Sequence, residues 1–183
     1  MRQALRLHRD SRCASVERIE TEVARPHGAR LTLRYLLTGD IAALRISGRR
    51  VAKRADELWR HTCFEAFLRA PSHAAYFEFN FAPSGAWAAY RFDGYRRGIA
   101  DANEINSPQI NVESDGHSVA LDASLALDEA DLPFDCPWNF GLAAVVEEAG
   151  GAKSYWALKH PPGAPDFHHD DCFALQIATE KSQ

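Results

Sequence analysis

The stretch from 58 to 92, LWRHTCFEAFLRAPSHAAYFEFNFAPSGAWAAYRF, decides the fold. It divides into three runs that read as consecutive strands: HTCFEAFLR (61–69), AAYFEFNF (74–81) and AWAAYRF (86–92). Successive side chains of a strand point to opposite faces, so residues two apart share one. In the middle run Phe77, Phe79 and Phe81 fall on one side, and Tyr76, Glu78 and Asn80 on the other. The first side is wholly apolar. The second carries an aromatic ring, a carboxylate and an amide, which is more chemistry than a solvated face requires. APSG (82–85) supplies Pro and Gly where a hairpin connection needs them. A three-strand meander cannot cover its own phenylalanine face, so the remaining chain must provide a second layer.

Toward the N-terminus, ALRLHR (4–9) suits an edge strand, and SVERIETEVAR (15–25) suits an exposed strand or a helix. ARLTLRYLLTG (29–39) alternates well, with Leu31, Leu33, Tyr35 and Leu37 on one face. IAALRIS (41–47) fits strand or helix. Asp56 is placed to cap a turn into the meander. Toward the C-terminus, DGYRRGIADANEINSPQ (93–109) is a long loop of the kind that often binds or moves. QINVES (109–114) and HSVALDASLAL (117–127) read as a hairpin around Ser114-Asp115-Gly116. WNFGLAAVVEEAGG (138–151) places Phe140, Leu142, Ala144 and Val146 on one side. KSYWALKH (153–160) and CFALQIA (172–178) are the last strands, separated by the proline-rich loop PPGAPDFHHDD (161–171). Short strands, Gly/Pro turns and no long helical period indicate an all-β chain, an antiparallel sandwich or barrel.

A chain of 183 residues, 46% of them hydrophobic, can bury one sizeable core without disulfide or metal staples. One domain spanning 1–183 is the simplest organisation. A net charge of −4 argues against a general nucleic-acid binder, which carries a basic footprint. Arg49, Arg50, Lys53 and Arg54 form a candidate phosphate contact, but the acidic balance favours a solvated connection. The opening MRQALRLHRDSRCAS has no apolar signal core, and no apolar run nears the roughly 20 residues that span a bilayer. A cytoplasmic location without membrane partners is therefore expected. Cys13, Cys63, Cys136 and Cys172 are widely spaced and form no CxxC, so free thiols are expected rather than a zinc site.

Three stretches together resemble a known superfamily: LW-x3-CFEAFL, then YFEFNFAPSGAWAAYRF, then SYWALKHPPGAPDFH. They are similar to the DOMON-like domains, which include the family 9 carbohydrate-binding modules, and within these to a small bacterial group. The resemblance rests on Trp59, Cys63 to Glu65, Tyr76 to Asn80, Tyr155-Trp156 and Pro165 to His168. It is clear over 58–92 and 153–173. It implies a two-sheet, jelly-roll-type β-sandwich with its ligand on the concave face of one sheet and in adjacent loops. Sugar binders and haem binders both occur in that superfamily.

The candidate ligand-binding set joins aromatic to polar residues. Trp59, Trp87, Tyr90, Tyr95 and Trp156 stand with Glu65, Glu78, Asn80, Arg91 and Arg96; Lys159, His160, Asp166 and His168 come from the late loop region. A pyranose has an apolar C–H face that stacks on an aromatic ring and hydroxyls that need convergent polar partners, so such a lining suits it. The related modules sandwich a sugar between two tryptophans, and by position Trp59 and Trp156 are the candidates here. The opposing reading puts the tryptophans in the core and pairs the carboxylates with Arg60 or Arg91. The expectation is non-catalytic binding of a carbohydrate or similar small polar ligand, with no cofactor. Haem or metal binding is the alternative. The single methionine, Met1, disfavours a Met/His haem pair and leaves His61, His117, His160, His168 and His169. A further alternative is a hydrolase or epimerase using Glu65 and Glu78, because glycoside hydrolysis needs two carboxylates at defined separation. In PDFHHDD, neighbouring side chains point apart, which favours loop-locking by Asp166 and His168 with Phe167 as anchor over metal ligation.

Overall fold

The computed structural model describes residues 2–26, 29–46, 48 and 52–178. It is an antiparallel β-sandwich of a five-stranded and an eight-stranded sheet. In chain order the strands are β1 (Arg2–Ala4), β2 (Arg6–Leu7), β3 (Val16–Ala24), β4 (Arg30–Gly39), β5 (Cys63–Arg69), β6 (Tyr76–Phe81) and β7 (Trp87–Phe92). They continue with β8 (Ala100–Asp101), β9 (Gln109–Ser114), β10 (Ser118–Ala126), β11 (Trp138–Glu147), β12 (Lys153–Ala157) and β13 (Leu175–Ile177).

The smaller sheet runs β1-β3-β4-β10-β9, and the larger runs β2-β12-β11-β5-β6-β7-β8, with β13 also on β11. The run read as one N-terminal edge strand is two strands in different sheets. β1 pairs with β3, buried Leu5 crosses the gap, and β2 pairs with β12.

Alternation builds the core. Phe77, Phe79 and Phe81 join Phe64, Leu68, Phe140, Leu142 and Val146 on the inner face of the larger sheet. They meet Leu31, Leu33, Tyr35, Leu37, Val119, Leu121 and Leu125 of the smaller. Tyr35 ties the layers together. Its ring stacks on Phe64 with centroids 5.0 Å apart, and its hydroxyl donates to the Glu65 carbonyl at 2.7 Å. A buried phenol needs such a partner.

Three local expectations are corrected. The 41–47 run is neither strand nor long helix: Ile41–Ala43 makes a 3-10 turn, and Leu44 bridges to Glu148. Arg54, read as part of a solvated connection, is instead a structural cross-link. Its guanidinium donates to the Ala89 carbonyl at 2.7 Å and lies 5.5 Å from the Trp87 ring centroid. Arg49 and Arg50 lie outside the described residues. The Leu58–Arg60 turn has no side-chain cap, and Asp56 instead accepts a hydrogen bond from the Tyr90 hydroxyl at 2.9 Å.

Candidate functional site

The site lies on the outer face of the larger sheet, where the residues between the inward ones converge. Glu65 stands directly opposite Asn80 on β6 and Ala143 on β11. Glu78 stands opposite Tyr90 on β7 and Phe67 on β5. Phe67, Tyr76, Phe92, Ala143, Val145, Ala157 and Phe167 form a second apolar cluster around these polar groups. An outer face so covered differs from the usual solvated one.

Two loops roof it. Asp166 in the late loop accepts from the Arg96 guanidinium at 2.7 and 3.2 Å, from the Tyr95 hydroxyl, and from the backbone N–H of His168 at 3.1 Å. Burial acts against its charge, but the Tyr95 and Arg96 contacts hold its carboxyl below the usual range. The Cys172 thiol donates to the Asp166 carbonyl at 3.1 Å. The loop approaches the sheet closely where β11 has Gly141: a Cβ there would stand 3.1 Å from the Cys172 carbonyl oxygen. Arg96 (φ 51°) and Glu57 (φ 57°) hold left-handed backbone, which non-glycine residues adopt at a cost, and both line the resulting cleft.

The cleft has a volume of about 920 Å³. Glu65 and Glu78 form its floor. Trp59, Tyr90, Phe92, Tyr155 and Phe167 supply apolar wall, and Arg96, Lys153, Asp56, Glu57, Asp101 and His168 supply charge or polarity. The Asn80 amide donates to Glu78 Oε1 at 2.7 Å. Glu65 Oε1 and Asn80 Oδ1 are buried with no hydrogen-bond partner among the described residues. Such groups ordinarily find one.

The electrostatics follow from burial. Glu78 is pushed up to about 7 by desolvation, against the opposing pull of Asn80 and Arg96. Glu65 is pushed well above the carboxylate range by burial first and the neighbouring Glu78 charge second. Two adjacent buried carboxylates do not both ionise cheaply. His168 is pulled down to about 4 by burial and by Arg96, so it is neutral at pH 7. The Arg96 backbone N–H donates to the Tyr76 hydroxyl at 3.3 Å, and that hydroxyl shares a hydrogen bond with His168 Nδ1 at 2.8 Å. His168 Nε2 lies 3.8 Å from Glu78 Oε2.

Of the residues proposed from sequence, the structure brings Trp59, Glu65, Glu78, Tyr90, Arg96 and His168 to the cleft. Asn80, Tyr95 and Asp166 stand one contact behind, holding Glu78 and Arg96. Two tryptophans are elsewhere. Trp87 and Trp156 belong to the core between the sheets, so the Trp59–Trp156 sandwich does not form. Register is the reason. Trp87 pairs with inward Phe81, and Trp156 with inward Ala144, and paired residues share a face. Arg91 pairs with Phe77 and reaches toward Glu104 at 3.9 Å. Lys159 is paired with Asp171 at 3.2 Å, and His160 binds the Arg6 carbonyl at 2.8 Å; neither lines the cleft. Tyr155, Phe92, Lys153 and Phe167 were not in the predicted set. Tyr155 was legible as the other face of the strand that carries Trp156.

The polar side chains of the PDFHHDD loop are engaged by protein partners: Asp166 by Arg96 and Tyr95, His168 by Tyr76, Asp170 by Arg69 and Asp171 by Lys159. His169 Nδ1 accepts from the Asp171 N–H at 3.1 Å, and Phe167 is buried in the apolar cluster. Among the described residues, no group of three or more His, Cys, Asp or Glu could hold a metal.

No protein-family model and no curated protein matches the sequence. Solved structures do. A Bacteroides uniformis ATCC 8492 protein, described as a candidate carbohydrate-binding protein, superposes with a TM-score of 0.71 at 14% identity, over 98% of this chain and 86% of that one. A family 9 carbohydrate-binding module from Caldicellulosiruptor kristjanssonii in complex with glucose gives 0.54 at 9% identity, over 95% and 81%. One from the same organism with cellotriose gives 0.51 at 10% identity, over 89% and 74%. Identities this low speak to architecture: the chain shares its antiparallel sandwich with the family 9 carbohydrate-binding modules.

Proposed function

We propose that the chain binds a carbohydrate without chemistry, in the cleft on the outer face of its larger sheet. One observation carries this reading: a recess of about 920 Å³ joins aromatic walls to a floor of two buried carboxylates, one with an oxygen that has no partner. An aromatic wall stacks the C–H face of a pyranose, and a buried acceptor or acid orients its hydroxyls. The sugar-bound modules of the same fold support the ligand class. Trp59 is the platform this reading needs. It is 48% exposed at the cleft mouth, on the turn that leads into β5.

Isothermal titration with glucose, cellotriose and a panel of other mono- and oligosaccharides tests it. At least one sugar binds, and Trp59→Ala weakens it tenfold or more with the melting temperature unchanged. Silence across the panel, or full affinity in Trp59→Ala, overturns the reading.

A second reading rests on the paired acids themselves. Both carboxyls are raised above the usual range by burial, Glu78 to about 7, and an acid poised near neutrality is what general acid–base catalysis uses. It requires turnover of a glycoside or sugar epimer that Glu78→Gln abolishes.

A further inference from the structure

Among the described residues, none sets a free positive charge on the floor of the cleft. Glu65 and Glu78 sit side by side under the roof, on neighbouring strands. Among the described residues, Arg96 is the cation whose charge acts on both, and it is already spent on Asp166 at 2.7 Å. His168 faces Glu78 Oε2 at 3.8 Å but is neutral, with Nδ1 occupied by Tyr76. Lys153 lines the cleft yet pairs in register with Glu147, four residues along β11 from the Ala143 that faces Glu65. At about 3.4 Å per residue its backbone is roughly 14 Å away along the strands. Around Glu78 the remaining neighbours are the Asn80 amide and the Tyr90 and Tyr76 phenols, all uncharged. A buried anion without a counter-ion is costly, and it is relieved by taking up a proton or by gaining a partner charge. The unpartnered Glu65 oxygen, on a residue more than nine-tenths buried, points to a group that comes from outside.

We propose that the cleft takes an amino sugar with a free, protonated amine, its ammonium held by Glu78 and Glu65 and its ring against the aromatic wall. This rests on the carbohydrate reading above and specifies its substrate class. A metal ion would need a third ligand that the described residues do not supply. An ammonium needs only two or three acceptors, and the surrounding rings favour a cation as well. A neutral hexose leaves the floor without its missing charge. N-acetylation removes that charge and adds bulk where the carboxylates stand.

The test compares glucosamine, N-acetylglucosamine, glucose and the de-N-acetylated chitotriose against cellotriose by titration calorimetry at pH 7, with tetramethylammonium as a cation that is not a sugar. The amino sugars bind at least tenfold tighter than their neutral counterparts. In Glu78→Gln, checked for folding by thermal melt, that preference falls to about one. The amino-sugar advantage also grows as pH rises from 5 to 7, while neutral sugars show no such gain. Equal or weaker binding of amino sugars, with neutral sugars bound, overturns this inference and leaves the carbohydrate reading intact. Tetramethylammonium binding as tightly as glucosamine overturns the sugar reading and with it the amino-sugar assignment. No binding of any sugar overturns both.

Discussion

The outer faces of the two sheets obey one alternation and have opposite fates. On the smaller sheet, outward residues such as Thr32, Arg34 and Asp122 are only half-buried, and Arg34 meets Asp122 across strands at 2.8 Å. On the larger sheet, outward Glu65, Phe67, Glu78 and Asn80 are fully buried. Strand chemistry alone does not separate the two, since both faces mix polar with apolar residues. The difference is the roof. The 93–99 and 165–172 segments fold over one face, pinned by Asp166, and among the described residues no comparable clamp covers the other. A sheet face becomes a binding floor when loops shield it from water yet leave a gap.

The largest effect that would break this contrast comes from Phe67. It is wholly buried in the outer cluster, so Phe67→Ala costs about 3–5 kcal/mol in urea unfolding. Leu36→Ala, outward and half-buried on the smaller sheet, costs about 1 kcal/mol or less. Equal losses would mean that the roof is not a true second layer.

Next in size is the pH dependence of Glu78. Its native pKa of about 7 lies above its unfolded value near 4.5, so between these the folded state binds more protons. The contribution of Glu78 to stability is then full below pH 4.5 and is lost as pH rises toward 7. Glu78→Gln, which mimics the protonated form, matches the wild type near pH 4. By pH 8 it is more stable by about 1–3 kcal/mol. Thermal melts across that range check it. A parallel fall in both proteins would place the titrating group elsewhere.

A smaller effect sharpens the role of the clamp. Asp166→Asn weakens the contacts to Arg96, Tyr95 and the His168 N–H, for about 1–2 kcal/mol. Hydrogen exchange should quicken across 93–99 and 165–172 but not in β9 and β10. The smallest effect is on the solvated face. Arg34→Ala removes an exposed ion pair and costs about 0.2–1 kcal/mol.

The sandwich was legible because alternation is local: FEFNF declares its two faces without reference to any other segment. The polar side of that strand was legible for the same reason, and Glu78 and Asn80 are where the pattern puts them. Trp87 and Trp156 were misassigned because a face can be carried from strand to strand only through the pairing register. For Trp87 the signal was present. APSG closes a hairpin that sets Phe81 against Trp87, so the tryptophan inherits the phenylalanine side. For Trp156 the 148–152 turn conceals the register, and Tyr155 took the cleft position instead. The clamp was half legible. Asp166 and His168 were read as a loop lock, but nothing local says that Tyr95 and Arg96, some 70 residues earlier, are the other half of it.

The opening residues carry one more consequence. Arg2–Ala4 and Arg6–Leu7 sheathe the raw margins of β3 and β12, one in each layer, with Leu5 as the hinge pin. Peeling away that single hexapeptide would bare two strands' worth of unmatched amides at once.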